Sequence, residues 1–225
     1  MLYPNGVNTA GFISILLSLV AYLMALAVAV SFHEFAHAFA AKCEGDYTAK
    51  AYGRYTLAPH AHFDFTGFIF LLLFRFGWAK PVPVDSRNFK RGKKSELFVA
   101  SAGIITNLLL GIIFIFIYML LNKFVPKYIE IPVYGLMLEL FLSSSISLNF
   151  VLAFLNLLPI YPLDGYKIIE SFSKTENTFL RVTKQYAFII FLLLSITGLY
   201  YYYFAYTAEL LMSAIIKLFS IILGM

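Results

Sequence analysis

Long apolar stretches alternate with short polar ones along this chain. Residues 11–32, 97–122, 140–163 and 185–208 carry no charged side chain over 22, 26, 24 and 24 positions. A helix needs roughly 20 such residues to cross about 30 Å of hydrocarbon. Each run therefore predicts a membrane span. Residues 210–225 hold one charge, Lys217, and read as a last span, a half-span or a surface helix. The apolar run Phe65–Phe74 is only ten residues long. It is too short to cross and predicts a re-entrant segment, tolerated where protein or water covers its backbone. Tyr and Thr between Ala51 and Leu57, and apolar residues alternating with Pro81 and Pro83 between Ala79 and Val84, predict β-like material.

The expected fold is an all-α polytopic membrane protein, one domain over residues 1–225, with about five to six membrane helices. Spans are expected at about 11–41, 97–121, 139–158 and 185–206, and a further one at 208–224. A short re-entrant, β-like segment at about 64–77 is expected on the inner side.

Composition sharpens this picture. Of the 225 residues 61% are apolar and 13% charged, against roughly 45–50% and 25% in soluble proteins. Exposing that much apolar surface to water would cause aggregation, which excludes a soluble enzyme, a disordered tail and a fibrous repeat. The single cysteine, Cys43, excludes an internal disulfide framework. No Lys or Arg precedes Lys42, so the first apolar run lacks the basic flank of a secretory signal and is expected to remain as a helix.

The net charge of +5 suggests nucleic acid until the charges are placed. Residues 42–96 carry ten Lys and Arg, 164–184 four, 123–138 two and 1–10 none. Basic loops stay inside. This predicts an outer N-terminus, with 42–96 and 164–184 on the inner side against anionic headgroups. Nucleic acid is not an expected partner; the lipid bilayer is.

All four histidines fall between His33 and His62. His33 and His37 lie one helical turn apart at the inner end of the first span, with Glu34 beside them. Two such imidazoles can share a tetrahedral zinc, and the Glu between them can take a proton from water. From four His and eight Glu, chance yields about 0.0025 such patterns. Ionisable groups inside a span are also functional candidates by default. A catalytic zinc usually has three protein ligands, and Asp164 supplies the third candidate. It follows Pro159 and Pro162, which break the helix, and precedes Gly165, which permits a tight turn. The charge-derived topology independently puts it on the same inner side as His37. His60, His62 and Asp64 form a second polar cluster that fits a solvated loop, a gating contact or a second metal.

Together the HExxH at His33–His37 and the NxxPxxPLDG pattern from Asn156 to Gly165 resemble the site-2 protease family of intramembrane zinc metalloproteases. Gly53-Arg54-Tyr55-Thr56-Leu57, His62-Phe63-Asp64 and the stretch from Phe76 to Val84 resemble its compact bacterial branch, without PDZ or CBS domains. One motif departs from the family pattern. Its usual Gly-Pro-x-x-Asn reads Gly103-Ile104-Ile105-Thr106-Asn107 here, and losing the proline should straighten that helix start.

The resemblance implies one Zn²⁺ per chain held by His33, His37 and Asp164, with Glu34 as catalytic base. It also implies that Asn156 and Asn107 bind substrate backbone or the oxyanion. The implied activity is hydrolysis of peptide bonds in or near transmembrane segments of membrane proteins or peptides, at the bacterial inner membrane. The active site would lie nearer the cytoplasmic face. A helical substrate must unwind first, and pairing along residues 79–84 as an edge strand would achieve that. Rival readings are a zinc-binding protein that holds transmembrane peptides without cutting them, and an ion-coordinating transporter.

Overall fold

The computed structural model describes residues 9–74, 77–125, 132–173 and 177–224. Among these residues ten α-helices follow in order: α1 (Thr9–Cys43), α2 (Thr48–Ala51), α3 (Pro59–His62), α4 (Phe65–Phe74), α5 (Lys93–Phe124), α6 (Pro132–Asn156), α7 (Asp164–Phe172), α8 (Thr178–Gln185), α9 (Ala187–Thr197) and α10 (Leu199–Leu223). Among the described residues there is no β-strand. The expected β-like material is thus corrected. Residues 79–84 belong to no ladder, because Pro81 and Pro83 lack the N–H groups a ladder needs.

Among the described residues four helices are long and apolar enough to cross a membrane: Gly11–Cys43, Lys93–Phe124, Val133–Asn156 and Tyr206–Leu223. The expected span at 185–206 is not one helix. α9 stops after 11 residues, Gly198 adopts a left-handed φ of 66°, and α10 runs on from Leu199 through the expected 208–224 span. A residue in that conformation cannot continue a right-handed helix. α9 alone reaches about 16 Å, half the hydrocarbon thickness. α4, at ten residues, likewise cannot cross.

The helices α1, α5 and α6 pack on one another, α7 leans on α5, and α10 closes against α5 and α6. Small residues let the long helices approach. Ala21, Ala25 and Ala29 recur every four positions on α1 and are fully buried. A Cβ on Gly111 of α5 would lie 2.7 Å from the Phe150 ring of α6. Ile115, Met119, Phe150 and Ala208 form the apolar core between α5, α6 and α10. Large apolar side chains such as Ile15, Ile196 and Ile221 are about 70% exposed around the outside (69%, 74% and 71%). In water that surface would aggregate; in lipid it is the solvated face.

Carboxylates tie the connection after α1 to the start of α5. Glu44 accepts from Arg91 and from Ser95 Oγ (2.6 Å). Asp46 accepts from Thr48, from Asn88 Nδ2 (2.9 Å) and from the Asp85 N–H (2.8 Å). Arg91, and then Ser95, hold Glu44 below the ordinary carboxylate range. For Asp46 burial opposes ionisation, yet the bonds from Thr48, Asn88 and Asp85 hold it below that range too. Both groups therefore bind protons more weakly folded than unfolded. Their stabilisation is complete above the unfolded carboxylate value of about 4 and is lost as pH falls through the lower folded values. The melting temperature should fall with acidification below about pH 4, and less steeply in Glu44→Gln/Asp46→Asn. Equal slopes would show that these bonds contribute nothing.

Candidate metal centre

His33 and His37 occupy successive turns of α1, and Asp164 opens α7 after the proline-broken turn that ends α6. All three are buried, at 8, 6 and 3% exposure. The structure brings their donor atoms together. His33 Nε2 and His37 Nε2 lie 3.1 Å apart, and Asp164 Oδ2 lies 3.2 and 3.0 Å from them. Among the described residues, this is the one group of three or more His, Cys, Asp or Glu side chains arranged to hold a metal ion.

The other ring nitrogens fix what these three atoms offer. His37 Nδ1 lies 2.8 Å from the Val99 carbonyl, which can only accept. His33 Nδ1 lies 2.6 Å from Asn107 Oδ1. The Asn107 amide nitrogen is spent on Ala29 O (3.2 Å) and Asn149 Oδ1 (2.8 Å), so its oxygen must face the histidine. Both imidazoles therefore carry their proton on Nδ1. Each Nε2 is left with a lone pair aimed at the other and at a carboxylate oxygen that has no hydrogen-bond partner. Three buried acceptors cannot satisfy one another; a cation between them can. Tetrahedral zinc with ligands at about 2.0–2.1 Å spaces them about 3.3 Å apart, close to the separations here. The residues fit the metal.

Two details support the arrangement. Lys167 Nζ takes the other Asp164 oxygen at 3.1 Å, leaving Oδ2 for the histidines. Gly103 supplies the space, since a Cβ there would meet His33 Cε1 and His37 Nε2, each at 2.5 Å. With Ile104 in place of the family proline, α5 runs unbroken from Lys93, and Asn107 still reaches His33.

Glu34 stands next to the trio and accepts the Val82 N–H on Oε2 at 2.9 Å. The trio and Glu34 line a cleft of about 1310 Å³ that also touches Asn156, apolar residues of α1 and α6, and Lys93 and Lys184. Asn156 donates to Leu152 O of its own helix at 3.0 Å. Asn107, in contrast, is fully buried, with both amide atoms engaged inside the fold.

The second polar cluster separates. Asp64 accepts from the Gly67 N–H at 2.7 Å, at the start of α4. His62 is buried and bonds Thr56 O at 2.8 Å, and His60 is exposed. Sequence spacing missed Val99, Asn149, Lys167 and Val82. Two of these act through the backbone, which carries no residue-type signal.

Fold and donor set together define a helical membrane protein with a metallopeptidase-type centre. Residues 21–131 and 127–197 match Peptidase family M50. The chain is also 39% identical over 208 residues to a Bacillus subtilis (strain 168) protein named "Putative zinc metalloprotease YwhC", covering 92% of this chain and 94% of that one. No solved structure matches. The chain belongs to Peptidase family M50, the site-2 protease family of membrane zinc metalloproteases.

Proposed function

We propose that this protein is an intramembrane protease that hydrolyses peptide bonds in or near the transmembrane segments of membrane-protein substrates. One observation carries the reading: three buried acceptor atoms converge beside a glutamate, in a cleft lined by apolar residues of α1 and α6 together with charged side chains. His33, His37 and Asp164 would hold one zinc ion. When bound there, zinc supplies a Lewis acid that polarises a carbonyl oxygen and makes nearby water acidic.

The remaining work falls to the chain's own side chains. Glu34 takes the proton from the attacking water and returns it to the leaving amine. The Val82 N–H holds Oε2 of Glu34, so Oε1 is the oxygen left to receive the proton. Asn107 has no atom left for substrate, and its role is to fix the tautomer and ring orientation of His33. Asn156, at the cleft wall, binds substrate backbone. The apolar lining accepts a span, and the lysines of the lining, Lys93 and Lys184 among them, meet its polar flank. The basic loops favour the cytoplasmic side for the site, and a bacterial inner membrane is the proposed location. Regulated proteolysis of a membrane protein, or clearance of membrane peptides, would follow from such a cleft.

Purified protein should cleave a reporter carrying a single apolar span, lose that activity to a zinc chelator and regain it on adding zinc. Cleavage that survives complete removal of the metal would refute the proposal.

A further inference from the structure

The stretch 79–84, which belongs to no helix or strand, is held at its start by the preceding loop. The Lys80 N–H donates to His62 O at 2.9 Å. The Lys80 carbonyl accepts from Arg54 Nη2 at 2.5 Å, and the Pro81 carbonyl receives the same nitrogen at 3.4 Å. Two residues on, the Val82 N–H reaches Glu34. The Pro81 carbonyl and the Val82 N–H belong to one planar peptide unit and point opposite ways. Holding the Lys80 and Pro81 carbonyls on Arg54 therefore sets the direction of the Val82 N–H. Pro81 and Pro83 have no N–H, so Val82 is the single donor between Lys80 and Val84. A slip of one residue in either direction would set a proline before Glu34.

Arg54 is costly for a loop residue. It is only 8% exposed, and among the described residues no carboxylate lies within ion-pair distance of it. Its Nε is buried without a hydrogen-bond partner. A buried cation without a counter-ion is unfavourable, and closing a loop requires no charge. The charge is directed instead at two successive carbonyls, where a charged donor bonds about twice as strongly as a neutral one. The same loop is fixed to α1 beside the site, because Tyr55 packs on Phe35 with ring centroids 5.0 Å apart. At its other side the chain turns through Gly53, at φ +67°, and the Arg54 N–H returns to Ala49 O at 2.8 Å.

We infer that Arg54 is a positioning residue for the general base: it sets the register of residues 79–84 so that the Val82 N–H, and no proline, faces Glu34. The inference rests on the protease reading for its kinetic consequence, but its structural consequence stands alone. The stretch expected from sequence to pair with substrate has its Lys80 and Val82 N–H groups turned inward, to His62 and Glu34.

The test uses full-length, zinc-loaded protein and the variants Arg54→Ala, Arg54→Lys, Val82→Pro and the double variant Arg54→Ala/Val82→Pro. Bound zinc should be unchanged in all four, because none touches the metal-holding trio. In Arg54→Ala kcat should fall on the order of 10- to 100-fold, the scale of a small misplacement at a reacting centre, and lysine should restore part of it. Val82→Pro removes the N–H, although it also fixes φ and changes the side chain, and should cost at least as much. The double variant should then be no worse than either single one, since both act on one contact. Amide exchange at Val82 should be slow in the wild type and fast in Arg54→Ala, with α5 amides unaltered. Additive losses, an unchanged kcat, or a Val82 amide still protected in Arg54→Ala would overturn the inference. If the wild type cuts no reporter, the protease reading fails instead, and the Val82 amide alone decides the role of Arg54.

Discussion

Replacing Asp164 with alanine is expected to strip the protein of zinc. The Asp164 oxygen closes a triangle with two imidazole nitrogens whose protons are committed elsewhere, to Val99 O and Asn107 Oδ1. Without it two neutral ligands remain, and the negative charge that offsets the cation in a buried site is gone. Loss of an outer partner alone costs about 10- to 100-fold in metal affinity, so loss of a ligand should exceed about 100-fold. Bound zinc, measured by mass spectrometry after equilibration with a competing chelator, should drop from one per chain to near none. Asp164→Asn keeps the shape but not the charge and should fall between. Full zinc occupancy in Asp164→Ala would remove this residue from the ligand set.

Glu34→Gln should separate metal binding from chemistry. Glutamine keeps an oxygen to accept the Val82 N–H, so the local geometry survives. Glu34 is not one of the three converging donors, so zinc should be retained. What disappears is the ability to take a proton from water and pass it to the leaving amine. General acid–base groups contribute about 10²- to 10⁴-fold, and kcat should fall by that range with KM little changed. A large fall in bound zinc would mean that Glu34 is itself a ligand.

Much of this site was legible in the chain before its fold. His33, Glu34 and His37 are local, one turn apart on a helix, so spacing alone places them on one face. Asp164 is distant in sequence, yet the basic loops put it on the same side of the membrane as His37. The supporting contacts were not legible. Gly103 matters through the Cβ it lacks against two imidazoles. Val99 and Val82 act through backbone atoms that any residue type would provide. Asn107 stood out as a buried amide in an apolar helix, but its three partners, His33, Ala29 O and Asn149, come from two other helices, α1 and α6. The fold shows the same division. Uncharged runs locate α1, α5 and α6 well. Gly198 was hidden inside such a run, where glycine is common in transmembrane helices, and nothing local signals the left-handed turn that splits α9 from α10.

The most direct test of the account is the position of the cut. A reporter with one apolar span, incubated with zinc-loaded wild type and with Glu34→Gln, would have its products' new termini mapped by mass spectrometry. The account predicts termini in or beside the apolar span for the wild type and intact reporter for Glu34→Gln at equal zinc content. Termini confined to the soluble flanks, or the same products at the same rate from both proteins, would contradict it.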